Sequence, residues 1–86
     1  MTTTETIKSL NENERKALTI ICKDCDNIDG EGYTTTVDAM VALMREFENG
    51  QAVGGYLADL MDKGLIDYEK ADNTLWVDKE VFAAFC

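Results

Sequence analysis

A chain of 86 residues has room for one domain with a single modest core, burying roughly 60–65% of the surface its unfolded form exposes. Seventeen acidic residues against eight basic ones give a net charge of −9, which repels phosphate backbones at long range. The absence of histidine excludes Ser/His and Cys/His nucleophile arrangements, and removes the imidazole on which most acid–base sites and many zinc sites rely.

Residues 1–9 are polar and threonine-rich, and are expected to be a flexible N-terminal segment preceding a domain at 10–86. The start MTTTETIKSL has no apolar signal region, and no later run is long enough to cross a bilayer. A cytoplasmic protein without membrane contact is therefore expected. Three cysteines, Cys22, Cys25 and Cys86, are an odd number without a secretory signal and argue against a disulfide framework.

The first helix is expected to start at Asn11, whose side chain can cap while Glu14 reaches back to its backbone. Its apolar stripe is Leu10, Ala17, Leu18, Ile21, Cys22 and Cys25, running to about Asp26. Asn27–Gly32 reads as an acidic, glycine-containing loop, and Tyr33–Thr36 as a short strand. A second helix follows, with Thr36 as its cap and Val37, Met40, Val41, Met44 and Phe47 turned inward. Glu48–Asn49–Gly50 is a tight turn with Asn49 as the next cap. The third helix then places Val53, Tyr56, Leu57, Leu60, Met61 and Leu65 along one face and ends at Gly64. Leu65–Lys70 and Thr74–Val77 form a hairpin around Ala71–Asp72–Asn73. Asp78 can cap a last helix, Lys79–Phe85, whose Val81, Phe82 and Phe85 need cover.

This order, and the segment from Tyr56 to Ile66 with its hairpin, resembles winged helix-turn-helix domains of the bacterial multiple-antibiotic-resistance regulator type. The resemblance covers about residues 10–78. It implies a small α+β winged-helix domain: a three-helix core, a short strand plus a two-stranded wing, and a short C-terminal helix. In DNA-binding relatives the exposed face of the third helix enters the major groove. The matching positions here are Gly50, Gln51, Gly54 and Gly55, followed by Ala58, Asp59 and Asp62. Of these, Gln51 alone can pair with a base edge, Gly54 and Gly55 carry nothing to read with, and Asp59 and Asp62 have the wrong sign for phosphate. The nearby cations are Lys63, Lys70 and Arg45.

The resulting expectation is a non-enzymatic regulatory or adaptor module. Its face Gln51, Gly54, Gly55, Asp59 and Asp62 would meet a protein partner with a basic surface, presenting negative charge as a nucleic acid would. Asp29 and Glu31 form a second acidic patch. In the bland alternative, Gly54 and Gly55 only relieve crowding against the second helix. The rival function is a DNA-binding transcriptional regulator, a homodimer through Val81, Phe82 and Phe85; DNA is disfavoured by charge, and monomer and homodimer both stay open.

Three further features carry weaker signals. In the wing, which holds Tyr68, Lys70, Asn73 and Trp76, Trp76 is expected to be a lid over the first and third helices. Asn27–Asp38 resembles an EF-hand calcium loop with Asn27, Asp29, Glu31 and Asp38 as oxygen ligands. Its first ligand is Asn and its last a short Asp, so a solvated acidic turn is preferred and no metal or cofactor is expected. Cys22–Lys23–Asp24–Cys25 lies near a helix C-terminus, where the dipole opposes thiolate, so core packing is the better account of this C-x-x-C.

Overall fold

A computed structural model describes residues 3–48, 50–69 and 71–85. The elements run α1 (Thr3–Ser9), α2 (Glu12–Asp24), β1 (Asp26–Ile28), β2 (Glu31–Thr35), α3 (Thr36–Glu46), α4 (Gly50–Asp62), β3 (Ile66–Glu69), β4 (Thr74–Val77) and α5 (Lys79–Phe85). The strands form one antiparallel sheet in the order β1-β2-β4-β3. The series α2–β2–α3–α4–β3–β4, with β2 joined to the wing through β4, is a small winged-helix-like α+β fold. β1 extends the sheet on one side. No helix among the described residues is long and apolar enough to cross a membrane.

Local chemistry explains the helix boundaries. At α2, the Glu14 amide donates to Asn11 Oδ1 at 2.8 Å and the Asn11 amide to Glu14 Oε1 at 3.0 Å, a reciprocal capping box. The stripe beneath, Ala17, Leu18, Ile21 and Cys22, is fully buried. At the far end of α4, Gly64 takes φ +76°. There the amide of Leu65 reaches Leu60 O and that of Gly64 reaches Met61 O, the Schellman pair that a left-handed glycine allows. Val53, Leu57, Leu60 and Leu65 are buried as their spacing requires, while Met61 is 38% exposed. The expected cap Asn49 lies outside the described residues.

In α3 the inward face differs from the expected one. Thr35, not Thr36, is the cap, accepting from the Asp38 amide at 3.1 Å. Thr36 instead turns inward, its hydroxyl donating to Asn73 Oδ1 and its amide to Asn73 O at 3.3 Å, which ties the wing turn to the helix start. Thr36, Ala39 and Leu43 are therefore the buried residues. Val37, Val41 and Met44, expected inside, are 57%, 42% and 54% exposed.

The stretch 27–32, expected to be a loop, is a hairpin. Asp29 (φ 52°) and Gly30 (φ 91°) form its two-residue turn, the mirror-image geometry that suits twisted strands, and Asn27 Oδ1 accepts from the Gly30 amide at 2.9 Å. Gly32, next along, is a seat for α5: a Cβ there would lie 2.7 Å from Cδ1 of Phe82 and 3.1 Å from Cβ of Cys25. Phe82 and Val81 are covered in this way by their own chain. Residues 3–9, in the segment expected to be flexible, form helix α1. Thr6 is buried, Ile7 packs against the core, and Arg15 Nη2 donates to Ile7 O at 2.8 Å.

Candidate functional site

The outward face of α4 carries the residues singled out above. Gly54 and Gly55 are both exposed, and beyond their chain neighbours and the backbone of their own helix no atom of the described residues lies within 4 Å of where a Cβ would stand. Crowding against the preceding helix therefore does not explain them, because nothing is near enough to be relieved. Ala58, Asp59 and Asp62 are exposed on the same helix. The side chain of Gln51 lies outside the described residues.

Lys63, the cation closest in sequence, is committed elsewhere. Its ammonium pairs with Glu14 across the gap to α2, with Asp59 beside the pair. The hydrogen bond from the Asn11 amide holds the Glu14 carboxyl below its ordinary value, and Lys63 adds to this against the opposing effect of burial. Glu14 is 3% exposed, so this charge pair is a structural joint between α2 and α4. Arg45 lies on the other flank of α3. With Lys16 and Lys23 it borders a groove of about 500 Å³ between α2 and α3, together with Asp24 and Glu46. Lys16 there donates to Glu46 O at 3.3 Å and rests 4.7 Å from the centre of the Phe47 ring. Lys70 lies outside the described residues.

An apolar feature adjoins α4. Val37, Val41 and Met44 follow one another at helical spacing on the exposed side of α3, and Met44 Cε would lie 3.8 Å from a Cβ at Gly50. The sequence reading turned this stripe inward. Thr35-x-x-Asp38 is the local signal for the helix start, and the inward turn is fixed by Thr36, Ala39 and Leu43, which share the buried face.

The wing is largely occupied with holding the fold. Tyr68 packs against the core and Asn73 holds Thr36. Trp76 is not a lid over the first and third winged helices. It lies on the opposite face of the sheet, in tilted contact with Tyr33 with ring centroids 4.6 Å apart, because Leu75 and Val77 on either side fill the core face.

The proposed second acidic patch is split. Asp29 is the tip of the hairpin, whereas Glu31 lines a cleft of about 400 Å³ beside Trp76, with Asp67 and Asp78. The oxygen groups of the calcium-loop pattern diverge. Asn27 pairs with Gly32 and Ile28 with Glu31, so Asn27 and Glu31 point to opposite faces of the hairpin, and Asp38 lies in the first turn of α3. Among the described residues no group of three or more carboxylate or thiol side chains is placed to hold a metal ion. Cys22 is buried and Cys25 caps the C-terminal end of α2, where the helix dipole disfavours thiolate. Of the residues expected at a dimer contact, Val81 and Phe82 lie in the core and Phe85, half-buried, packs against it.

Compared with protein-family models, characterised proteins and solved structures, the chain matches none.

Proposed function

We propose that this chain is a small regulatory or adaptor module of the cytoplasm that works by protein–protein contact, offering the outer face of α4 to a partner with a basic surface. The observation that carries this reading is the openness of Gly54 and Gly55 beside exposed Asp59 and Asp62. A helix that reads DNA bases needs side chains long enough to reach them, and cations to settle on phosphate. This one presents bare backbone and carboxylates, while its neighbour Lys63 is neutralised by Glu14. Bare helix backbone lets a partner's main chain or a bulky side chain come close. The exposed Val37–Val41–Met44 stripe beside it supplies apolar area, which suits a protein partner better than a phosphate backbone. Occupying the nucleic-acid-facing surface of a basic protein is the specific action that fits this charge.

The test is paired capture from source-cell lysate. Wild-type chain should retain a basic protein that salt elutes, and an Asp59→Lys/Asp62→Lys variant should lose it. Equal retention by the charge-reversed variant rejects the reading, as does saturable binding of random duplex DNA by the wild type at low salt.

A further inference from the structure

The sheet face turned away from the helices carries one row of side chains in register: Asp26 on β1, Tyr33 on β2, Trp76 on β4 and Asp67 on β3. The two rings touch, and neither belongs to the buried core. Beside Trp76 opens the cleft of about 400 Å³, with Gly64–Leu65–Ile66 along one side and Glu31, Asp67 and Asp78 around it. Among the described residues, neither Glu31 nor Asp67 has an ion-pair partner within 4.0 Å, and no lysine or arginine lines the cleft. Asp78 is partly engaged, accepting from the Glu80 amide at 3.2 Å. Of the two cations next to the cleft in sequence, Lys63 pairs with Glu14 and Lys79 has its alkyl chain lying along the Gly30 turn.

An aromatic ring next to carboxylates that have no ion pair among the described residues, in a concave site, suits an organic cation. The ring quadrupole attracts positive charge, and the carboxylates accept short charge-assisted hydrogen bonds from ammonium or guanidinium. An anion would be repelled, and an apolar ligand would leave the carboxylates desolvated and unmatched. A bare metal ion is the poorer fit, since no three ligating side chains converge among the described residues. The volume is at the small end for ligand sites and is of the order of one long side chain. The cleft also borders β3, an edge strand of the sheet, whose open side can lie against an extended chain.

We propose that the cleft beside Trp76 receives an arginine or lysine side chain from an extended basic segment of a partner protein. This deepens the function proposed above and rests on the partner being basic. It adds a second point of attachment, on a different surface from α4.

Trp76 is the chain's single tryptophan, so its emission reports the cleft directly. Titration with an arginine-rich peptide at low salt should change that emission saturably, and a glutamine peptide of equal length should not. Glu31→Gln with Asp67→Asn should raise the peptide Kd about tenfold, the loss expected for two partly exposed charge contacts at an aromatic face. Asp59→Asn with Asp62→Asn should leave the Trp76 response unchanged. An unaltered Kd in the Glu31/Asp67 variant overturns the proposal, and so does a loss traced only to the Asp59/Asp62 variant, which would leave the α4 reading standing. Spermine binding as tightly as the peptide would overturn assignment to a polypeptide. No Trp76 response while wild type still captures a basic protein defeats the cleft alone, whereas failure of both defeats both.

Discussion

Helices α2 and α4 are each thirteen residues long and meet in one core, yet their outer faces have little in common. Inward, Ala17, Leu18, Ile21 and Cys22 of α2 and Val53, Leu57 and Leu60 of α4 are all buried. Outward, α2 carries Glu12, Arg15, Lys16 and Lys23, long solvated chains behind a complete capping box. α4 carries Gly54, Gly55, Ala58, Asp59 and Asp62 instead, with no acidic residue in its first turn and no basic one in its last. The inner stripes follow from folding, because each must fill the same core. The outer face of α4 does not, since two interior glycines cost about 1–2 kcal/mol of helix stability relative to alanine and nothing packed nearby demands them. A local rule broken without structural return is the basis for the proposal that this face meets another molecule.

The largest expected effects test the half of this contrast where the helices agree. Leu18→Ala and Leu57→Ala should each cost about 2–5 kcal/mol, measured by urea unfolding, because both residues are fully buried. A cost well below that range at Leu57 would mean that α4 is held more loosely than α2.

Glu14→Ala comes next, removing the capping exchange and the bond to Lys63 together, at about 1–3 kcal/mol. Glu14→Gln keeps a capping acceptor and should cost less. The folded pKa of Glu14 is lowered, so its charge contributes stability above the unfolded value near about 4.3 and loses it as pH falls through the folded value. The gap between wild type and Glu14→Gln should therefore hold from neutral pH down to the ordinary carboxylate range and narrow as the pH falls further into acid. A gap that persists into acid would show that the carboxylate's charge is not what joins the two helices.

A smaller and opposite effect sharpens the half where they differ. Gly54→Ala with Gly55→Ala should stabilise the fold by about 1–2 kcal/mol, raising Tm by several degrees, since both positions are helical and open. Destabilisation would reveal a packing role and remove the main reason for assigning the face to a partner. Smallest of all, Asp59→Asn and Asp62→Asn should each leave stability within about 0.5 kcal/mol, the usual range for exposed positions.

Much of this fold was legible because its signals are local. Asn11 and Glu14 lie one helical turn apart, Gly64 follows an apolar stripe of regular period, and Ala71–Asp72–Asn73 separates two short β-prone runs. What escaped depends on distant partners. α1 has few apolar side chains, and its support comes from Arg15 and packing against α5. The Asp29–Gly30 turn is a strong hairpin signal, but Asp26–Asn27–Ile28 lacks the alternation that would have declared a strand, all three being exposed. Thr35 and Thr36 are adjacent and chemically alike, and it is the bond from Thr36 to Asn73 that decides which one caps α3. The side of the sheet taken by Trp76 follows from strand parity, since Leu75 and Val77 must face the core, but its contact with Tyr33 joins residues far apart in sequence. For the site, residue types and sign of charge were readable on α4. That a Cβ at Gly54 or Gly55 would meet no described atom outside its own helix, and that Glu31 and Asp67 share a cleft with Trp76, required coordinates.

The central claim is that the bare face of α4 is kept open for another protein. The most direct measurement is retention, by a Gly54→Leu/Gly55→Leu variant, of the protein that wild type captures, with the melting temperature of each chain recorded alongside. Leucine is a good helix former, and a Cβ at either position meets no described atom outside its own helix, so Tm should hold or rise while retention falls sharply. A variant that melts no lower than wild type and still holds its partner equally well would contradict the account.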